Sequence, residues 1–227
     1  MNAAPEIRAV VFDFDGLILD TELPIYTAWC AAFEAHGAAP LTIDEWAAEI
    51  GTSGAINIEA HLHERADRPV DINAVHESRR RHHYALLALE VTRPGVEAWL
   101  DEADAAGIPL AIASSSPADW VQPLLETLGL GERFAYVVTA DPPRRGKPQP
   151  DTYLEACARL GVDPRHALAV EDSPHGIAAA KAAGLRCVTV PNALTESLDL
   201  SAADLRLDSL ADCTLAETIA LLSGADP

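Results

Sequence analysis

A chain of 227 residues with 35 acidic against 16 basic side chains, formal net charge −19, lacks the basic footprint that nucleic acid or an anionic membrane would require. Its hydrophobic fraction of 49% and charged fraction of 22% are those of a globular protein able to bury one large core, or a core and a smaller insert. No run reaches the roughly 18 apolar residues of a membrane span, and four scattered cysteines (Cys30, Cys157, Cys187, Cys213) form no CxxC pair, so a reduced cytoplasmic protein, monomeric or weakly dimeric, is expected.

Residues 1–8 hold Pro5 and Glu6 and no apolar stretch of the kind a signal peptide needs. Ile7 to Phe12, β-branched and apolar apart from Arg8, predicts a buried strand. Residues two apart on a strand share a face, so Asp13 and Asp15 point together at its carboxyl end, and Gly16 frees the backbone to turn away. The crevice outside the carboxyl ends of strands is where open α/β sheets bind ligands. Two carboxylates there repel unless a cation joins them, which calls for a divalent metal, a lysine, or both.

From Asp20 the period becomes helical. Asp20 or Thr21 caps a helix whose apolar stripe is Tyr26, Trp29, Cys30 and Phe33, ending near Gly37. Thr42 to Glu45 is a capping box that opens a short helix running to Ile50–Gly51. After the break Gly51-Thr52-Ser53-Gly54, helices are expected to about Arg65 and from Asp71 to Leu89. No strand is needed in this stretch, which predicts an all-helical insert over 17–90 and a core made of 1–16 and 91–227.

Strands and helices then alternate: a helix over Pro94–Ala106, a strand over Pro109–Ala113, a helix over Pro117–Leu128, a strand over Tyr136–Thr139 and a helix over Asp151–Leu160. A strand over Ala167–Val170, a helix over Pro174–Ala183, a strand over Cys187–Val190 and a closing helix over Leu215–Leu222 complete the chain. This alternation means a parallel sheet with helices on both faces.

Polar groups stand at several strand ends: Asp13 and Asp15, Ser114, a loop carrying Lys147, and Glu171 with Asp172. Among parallel neighbours these converge on one crevice. Oxygen ligands in that number, with no His or Cys, select a hard cation, of which Mg²⁺ is the natural choice. A carboxylate nucleophile, a second carboxylate two residues on, a hydroxyl, a lysine and Mg²⁺ make a phosphoryl-transfer set. Only two lysines occur beside fourteen arginines, so a lysine at position 147 fits a compact point charge at a phosphate.

The run Asp13-Phe14-Asp15-Gly16-x-x-x-Asp20-Thr21-Glu22, then Ser114, then Gly146-Lys147-Pro148-Gln149-Pro150-Asp151, then Glu171-Asp172-Ser173 resembles the haloacid dehalogenase-like hydrolase superfamily. The order and spacing are those of its helical-cap branch, which holds β-phosphoglucomutase-like proteins and phosphoglycolate- and sugar-phosphate-phosphatase-like proteins. The resemblance implies a Rossmann-like core with an inserted cap. It implies Asp13 as nucleophile, Asp15 as acid and then base, Ser114 bonding a phosphoryl oxygen, and Lys147 pairing with Asp13 and the phosphoryl group. Mg²⁺ would be held by Asp13, the Asp15 carbonyl and Asp172, with Glu171 binding directly or through water.

Within that family, Asp15 argues against dehalogenation, and the absence of lysine from residues 17–92 closes the Schiff-base route of phosphonatases. Mutases typically carry a His, an Arg and a Lys-Asn pair where this chain has Ile25, Gly54 and Pro117-Ala118. A Mg²⁺-dependent phosphatase acting through an aspartyl-phosphate is therefore expected, with a mutase or a non-catalytic sugar-phosphate-binding protein as alternatives. Substrate reading is expected from Gly16, Ser115, Thr52 and Ser53, with Leu17 and Trp46 nearby. The hydroxyl-bearing cap turn suits a sugar or polyol phosphate. The run Arg79-Arg80-Arg81-His82-His83 is expected to be a solvated helix face, and His175 to lie at the rim or surface.

Overall fold

The computed structural model describes residues 6–47 and 57–224. Six parallel strands form one sheet: β1 (Ala9–Phe12), β2 (Leu110–Ala113), β3 (Tyr136–Val138), β4 (Ala167–Glu171), β5 (Arg186–Thr189) and β6 (Leu205–Arg206), in the order β3-β2-β1-β4-β5-β6. The order reverses beside β1, which opens a crevice at its carboxyl end. The two-residue strand β6 is too short to leave a periodic signal and was not expected.

The residues of β1, β2 and β4 are buried on both sides, and the period of two sorts them. Val10 and Phe12 pack with Leu110, Ile112, Trp99 and Leu215 on the face covered by α5 (Val96–Ala106), α6 (Ala118–Thr127) and α9 (Leu215–Ser223). Ala9 and Val11 pack with Ala111, Ala169, Tyr153 and Ala180 beneath α7 (Asp151–Leu160) and α8 (Pro174–Ala183). The alanines that crowd this second face let its helices lie close to the sheet.

Between β1 and β2 the described residues hold α1 (Glu22–Ala35), α2 (Ile43–Ala47), α3 (Ile58–Arg65) and α4 (Ile72–Leu87) ahead of α5. Their capping matches the sequence pattern: the Thr42 N–H donates to Glu45 Oε2 at 2.7 Å while Glu45 N–H donates to Thr42 Oγ1 at 3.2 Å. Trp29, Phe33, Leu41, Trp46, Leu62 and Val75 form a separate apolar cluster, to which the sheet side contributes Leu194. Leu17, Ile18, Leu19 and Leu87 belong instead to the cluster under the sheet. Leu19 bridges to Thr92, and Arg93 N–H donates to Ile18 O at 2.9 Å, so the two chain segments that join the helices to the sheet run side by side.

Candidate active site at the carboxyl ends of the strands

Asp13 follows β1 with its N–H bonded to Val170 O of β4, so sheet pairing fixes the backbone up to the residue that carries the carboxylate. Its side chain is buried and ion-pairs with Lys147 Nζ. The same ammonium meets Glu171 Oε1 at 2.6 Å and lies 5.2 Å from the centre of the Tyr153 ring. Tyr153 OH donates to Glu171 Oε1 at 2.6 Å, while Asp172 N–H and Ser173 OH donate to Glu171 Oε2 at 3.2 and 3.4 Å. A Cβ at position 176 would overlap the Glu171 carboxylate, which accounts for Gly176. Glu171 is fully buried with both oxygens occupied from behind, so its direct partner is Lys147.

Asp172 stands across from Asp13. Asn192 Nδ2 donates to Asp172 Oδ2 at 2.7 Å and to Gly16 O at 3.2 Å. Arg93 holds the same turn, donating to Gly16 O and Pro191 O, each at 2.7 Å. Gly16 has φ of +74°, and a Cβ there would overlap the Asp172 carboxylate and the Asn192 amide. Sequence reading missed Asn192, Arg93 and Tyr153, because nothing local marks a residue whose partner lies across the sheet.

The Asp15 carboxylate turns the other way. Oδ1 accepts from Trp120 Nε1–H at 2.8 Å and Thr21 OH at 3.0 Å, and Oδ2 from Ser116 OH at 2.6 Å and Ser114 OH at 3.4 Å. Thr21 thus serves Asp15 and leaves α1 without a side-chain cap bond at its N-cap residue. Ser114 is fully buried and its Oγ accepts the Ser116 N–H at 2.9 Å. Ser115 and Ser116 line the cavity; Ser115 Oγ also accepts the Lys147 N–H at 3.0 Å.

Burial pushes the Asp13 carboxyl up to about 8, with Lys147 pulling it down and Glu171 and Asp15 pushing it further up. Burial raises Asp172 well above the carboxylate range, and Asp13 and Glu171 add to it. Burial alone would lower the Lys147 ammonium, but Asp13 and Glu171 outweigh it and hold the proton. Asp13, Glu171 and Asp172 each offer an oxygen within 4.8 Å of the others'. One ammonium among three buried carboxylates leaves negative charge unmatched, and an all-oxygen donor set of this kind fits a hard cation.

These groups open into a cavity of about 860 Å³ whose far wall is helical. Ile25, Trp46, Arg79, Arg80, His83 and Tyr84 face it, joined by His175 from the start of α8. Arg80, Arg81 and His82 are exposed, as expected of a solvated face, while Arg79 is half-buried and His83 buried; Arg79, Arg80 and His83 line the cavity and Arg81 and His82 do not. A run of five basic residues carries no mark of which two ridges face inward until α4 is packed against α1. Leu17, expected near the substrate, is fully buried under the sheet, and Thr52 and Ser53 lie outside the described residues. Glu22 also lines the cavity, and burial, with Asp15 and Asp20 behind it, raises its carboxyl to about 7.

Residues 7–184 match the family model described as haloacid dehalogenase-like hydrolase. The chain is 40% identical over 210 residues to the protein YhcW of Bacillus subtilis strain 168, covering 92% of this chain and 95% of that one. It is 32% identical over 237 residues to the phosphoglycolate phosphatase of Escherichia coli K12, covering 93% of each. The crystal structure of CbbY from Rhodobacter sphaeroides in complex with phosphate superposes with a TM-score of 0.70 at 33% identity, covering 93% of this chain and 98% of that one.

Proposed function

The chain belongs to the haloacid dehalogenase-like hydrolase family, and from that premise we propose that it is a phosphatase that releases phosphate from a small phosphorylated metabolite, a sugar or polyol phosphate, through a phosphorylated Asp13. The observation that carries this reading is the Asp13 carboxylate itself, fixed at the end of β1, ion-paired to Lys147, set opposite Asp172 and opening on a cavity large enough for a phosphorylated metabolite.

Asp13 attacks phosphorus, and the Lys147 ammonium balances charge on the phosphoryl oxygens as they approach. Ser114, whose longest bond is the one to Asp15, turns its hydroxyl to a phosphoryl oxygen, and Ser115 and Ser116 supply further donors at the cavity wall. Asp15 protonates the leaving oxygen and then takes a proton from the water that attacks the aspartyl-phosphate. To do so it leaves the four donors that hold it, a movement tied to Thr21 at the root of the helical segment. Glu171 and Tyr153 keep Lys147 aimed at Asp13. Asp13, Asp172 and the Asp15 carbonyl would hold Mg²⁺, with Glu171 behind them; bound there, the cation would neutralise charge that develops on the transferred group. The helices α1 to α4 form a cap that closes over the substrate and excludes bulk water.

Ile25 lines the cavity where the mutase branch carries a His, which leaves that position no group to move a proton and favours hydrolysis over transfer. The test is Mg²⁺-dependent phosphate release from an aryl phosphate, lost in Asp13→Asn. Sustained turnover by that variant would remove Asp13 as nucleophile.

A further inference from the structure

The loop that leaves β5 is fastened on several sides. Val190 N–H donates to Glu171 O at 2.7 Å, and Arg93 donates to Val190 O and Pro191 O at 3.3 and 2.7 Å, which sets the loop beside Asp172. Asn192 then closes a turn on itself. Its Oδ1 accepts the N–H groups of Leu194 and Thr195 at 2.9 and 3.1 Å, and its own N–H donates to Thr195 Oγ1 at 2.9 Å. Such turns are ordinarily found on surfaces, but Asn192, Leu194 and Thr195 are all buried.

Two backbone donors on Oδ1 settle which way the amide faces, since the flipped amide would set N–H against N–H. Nδ2 is therefore the atom aimed at the strand ends, and it donates to Asp172 Oδ2 at 2.7 Å and to Gly16 O at 3.2 Å. Asp172 Oδ2 is thereby committed, while its Oδ1 has no hydrogen-bond partner among the described residues. Oδ1 is left as the oxygen free to meet a cation shared with Asp13.

Two residues beyond Asn192, the Leu194 side chain enters the apolar cluster that holds Trp29, Phe33 and Trp46. Every other described member of that cluster lies between residues 25 and 75. The chain already joins helices and sheet where Leu19 bridges to Thr92, and Leu194 adds a third, non-covalent attachment. Its N–H is bonded to the same amide that holds Asp172.

We infer that Asn192 is a positioning residue for Asp172 as a cation ligand, and that Leu194 makes that position depend on the packing of the helices. This rests on the Mg²⁺ site of the proposed function and ties that site to the cap. A partner that grips one carboxylate oxygen from behind fixes the direction of the other and limits the reorganisation needed on binding. By linkage, helices docked on Leu194 tighten the cation site, and a bound cation tightens the docking by the same factor.

The test is calorimetric titration of the metal-free protein with MgCl₂, well below the melting midpoint so that only folded protein is titrated, beside thermal midpoints in EDTA. Asn192→Ser keeps a hydroxyl to accept a turn N–H but is too short to reach Asp172, and should weaken Mg²⁺ binding about 10- to 100-fold. Leu194→Ala leaves every group at the strand ends in place and should weaken it about five-fold or more. A purely structural role would lower the midpoints and leave the Mg²⁺ dissociation constant unchanged. Equal affinity in Asn192→Ser overturns the positioning role, and equal affinity in Leu194→Ala overturns the link to the helices. Should Asn192→Ser not fold, Leu194→Ala decides alone: weaker binding sustains the proposal and wild-type affinity overturns it. A wild type that takes no Mg²⁺ at all removes the cation site and this inference with it, a result distinct from equal affinities in wild type and variants.

Discussion

On the strand-end wall of the cavity, the Asp15 carboxylate accepts from four side-chain donors and Glu171 from a tyrosine, a serine, a backbone N–H and a lysine. On the α4 wall of the same cavity, Arg79 Nε and His83 Nε2 are buried with no hydrogen-bond partner among the described residues. The first wall is preorganised for one task, with each side chain held by residues from other strands and loops. The second is held by packing instead, with the Arg79 guanidinium on the Trp29 ring and His83 against Tyr84 and Trp120. Under the proposed function, chemistry belongs to the sheet and selection to the helices.

The strongest challenge to that division is Asp13→Asn. It keeps shape and removes the nucleophilic oxygen, so phosphate release should fall by at least about 10⁴-fold while the thermal midpoint changes little, because Lys147 keeps Glu171 as its partner. An active variant would mean that the strand-end wall does not do the chemistry. Next comes Lys147→Ala. It leaves Asp13 and Glu171 facing each other, and turnover should drop about 10²–10³-fold, with the metal-free protein losing about 3–5 kcal/mol of stability in urea titrations. Near-normal rates would show that the wall's organisation does not depend on that ammonium.

Trp120→Phe is expected to be milder, lowering kcat about ten-fold with KM nearly unchanged. It takes one donor from Asp15 but keeps an aromatic ring beside His83, whose centroid lies 5.9 Å away. A change confined to KM would move Trp120 to the selecting side of the comparison. A last effect concerns pH and bears on stability rather than on turnover. In the folded, metal-free protein Asp13, Asp172 and Glu22 keep protons that the unfolded chain sheds near pH 4. The folded state therefore binds more protons, and stability should fall as pH rises from about 4 to about 8, the window set by the Asp13 value. Melting curves in EDTA should show that decline, and added Mg²⁺ should flatten it. A metal-free midpoint that rises across the same window would mean these carboxylates are already ionised at low pH.

Much of the first wall was legible in the sequence, and the second was largely not. Asp13 and Asp15 lie two apart on a short apolar strand, so their common position at a strand end follows from backbone geometry. Strand and helix alternation likewise required parallel pairing, which brought Ser114, Lys147, Glu171 and Asp172 to the same edge. Yet Asp15 does not share its environment with Asp13, because Trp120, Thr21 and Ser116 draw its carboxylate aside. Leu17, expected near the substrate, is buried under the sheet instead.

The sequence alone determined the class of fold and the acid-rich edge, because both depend on local periodicity and on spacings of a few residues. Only the tertiary structure decided that Asn192 and Arg93 brace the turn at Gly16, that Tyr153 and Glu171 aim Lys147, and that Arg79 and Arg80 face the cavity while Arg81 does not. The physical reason is the same in each case. These partnerships join residues 18 to 176 positions apart or depend on the rotation of a helix about its own axis, and neither is encoded in any short stretch of chain.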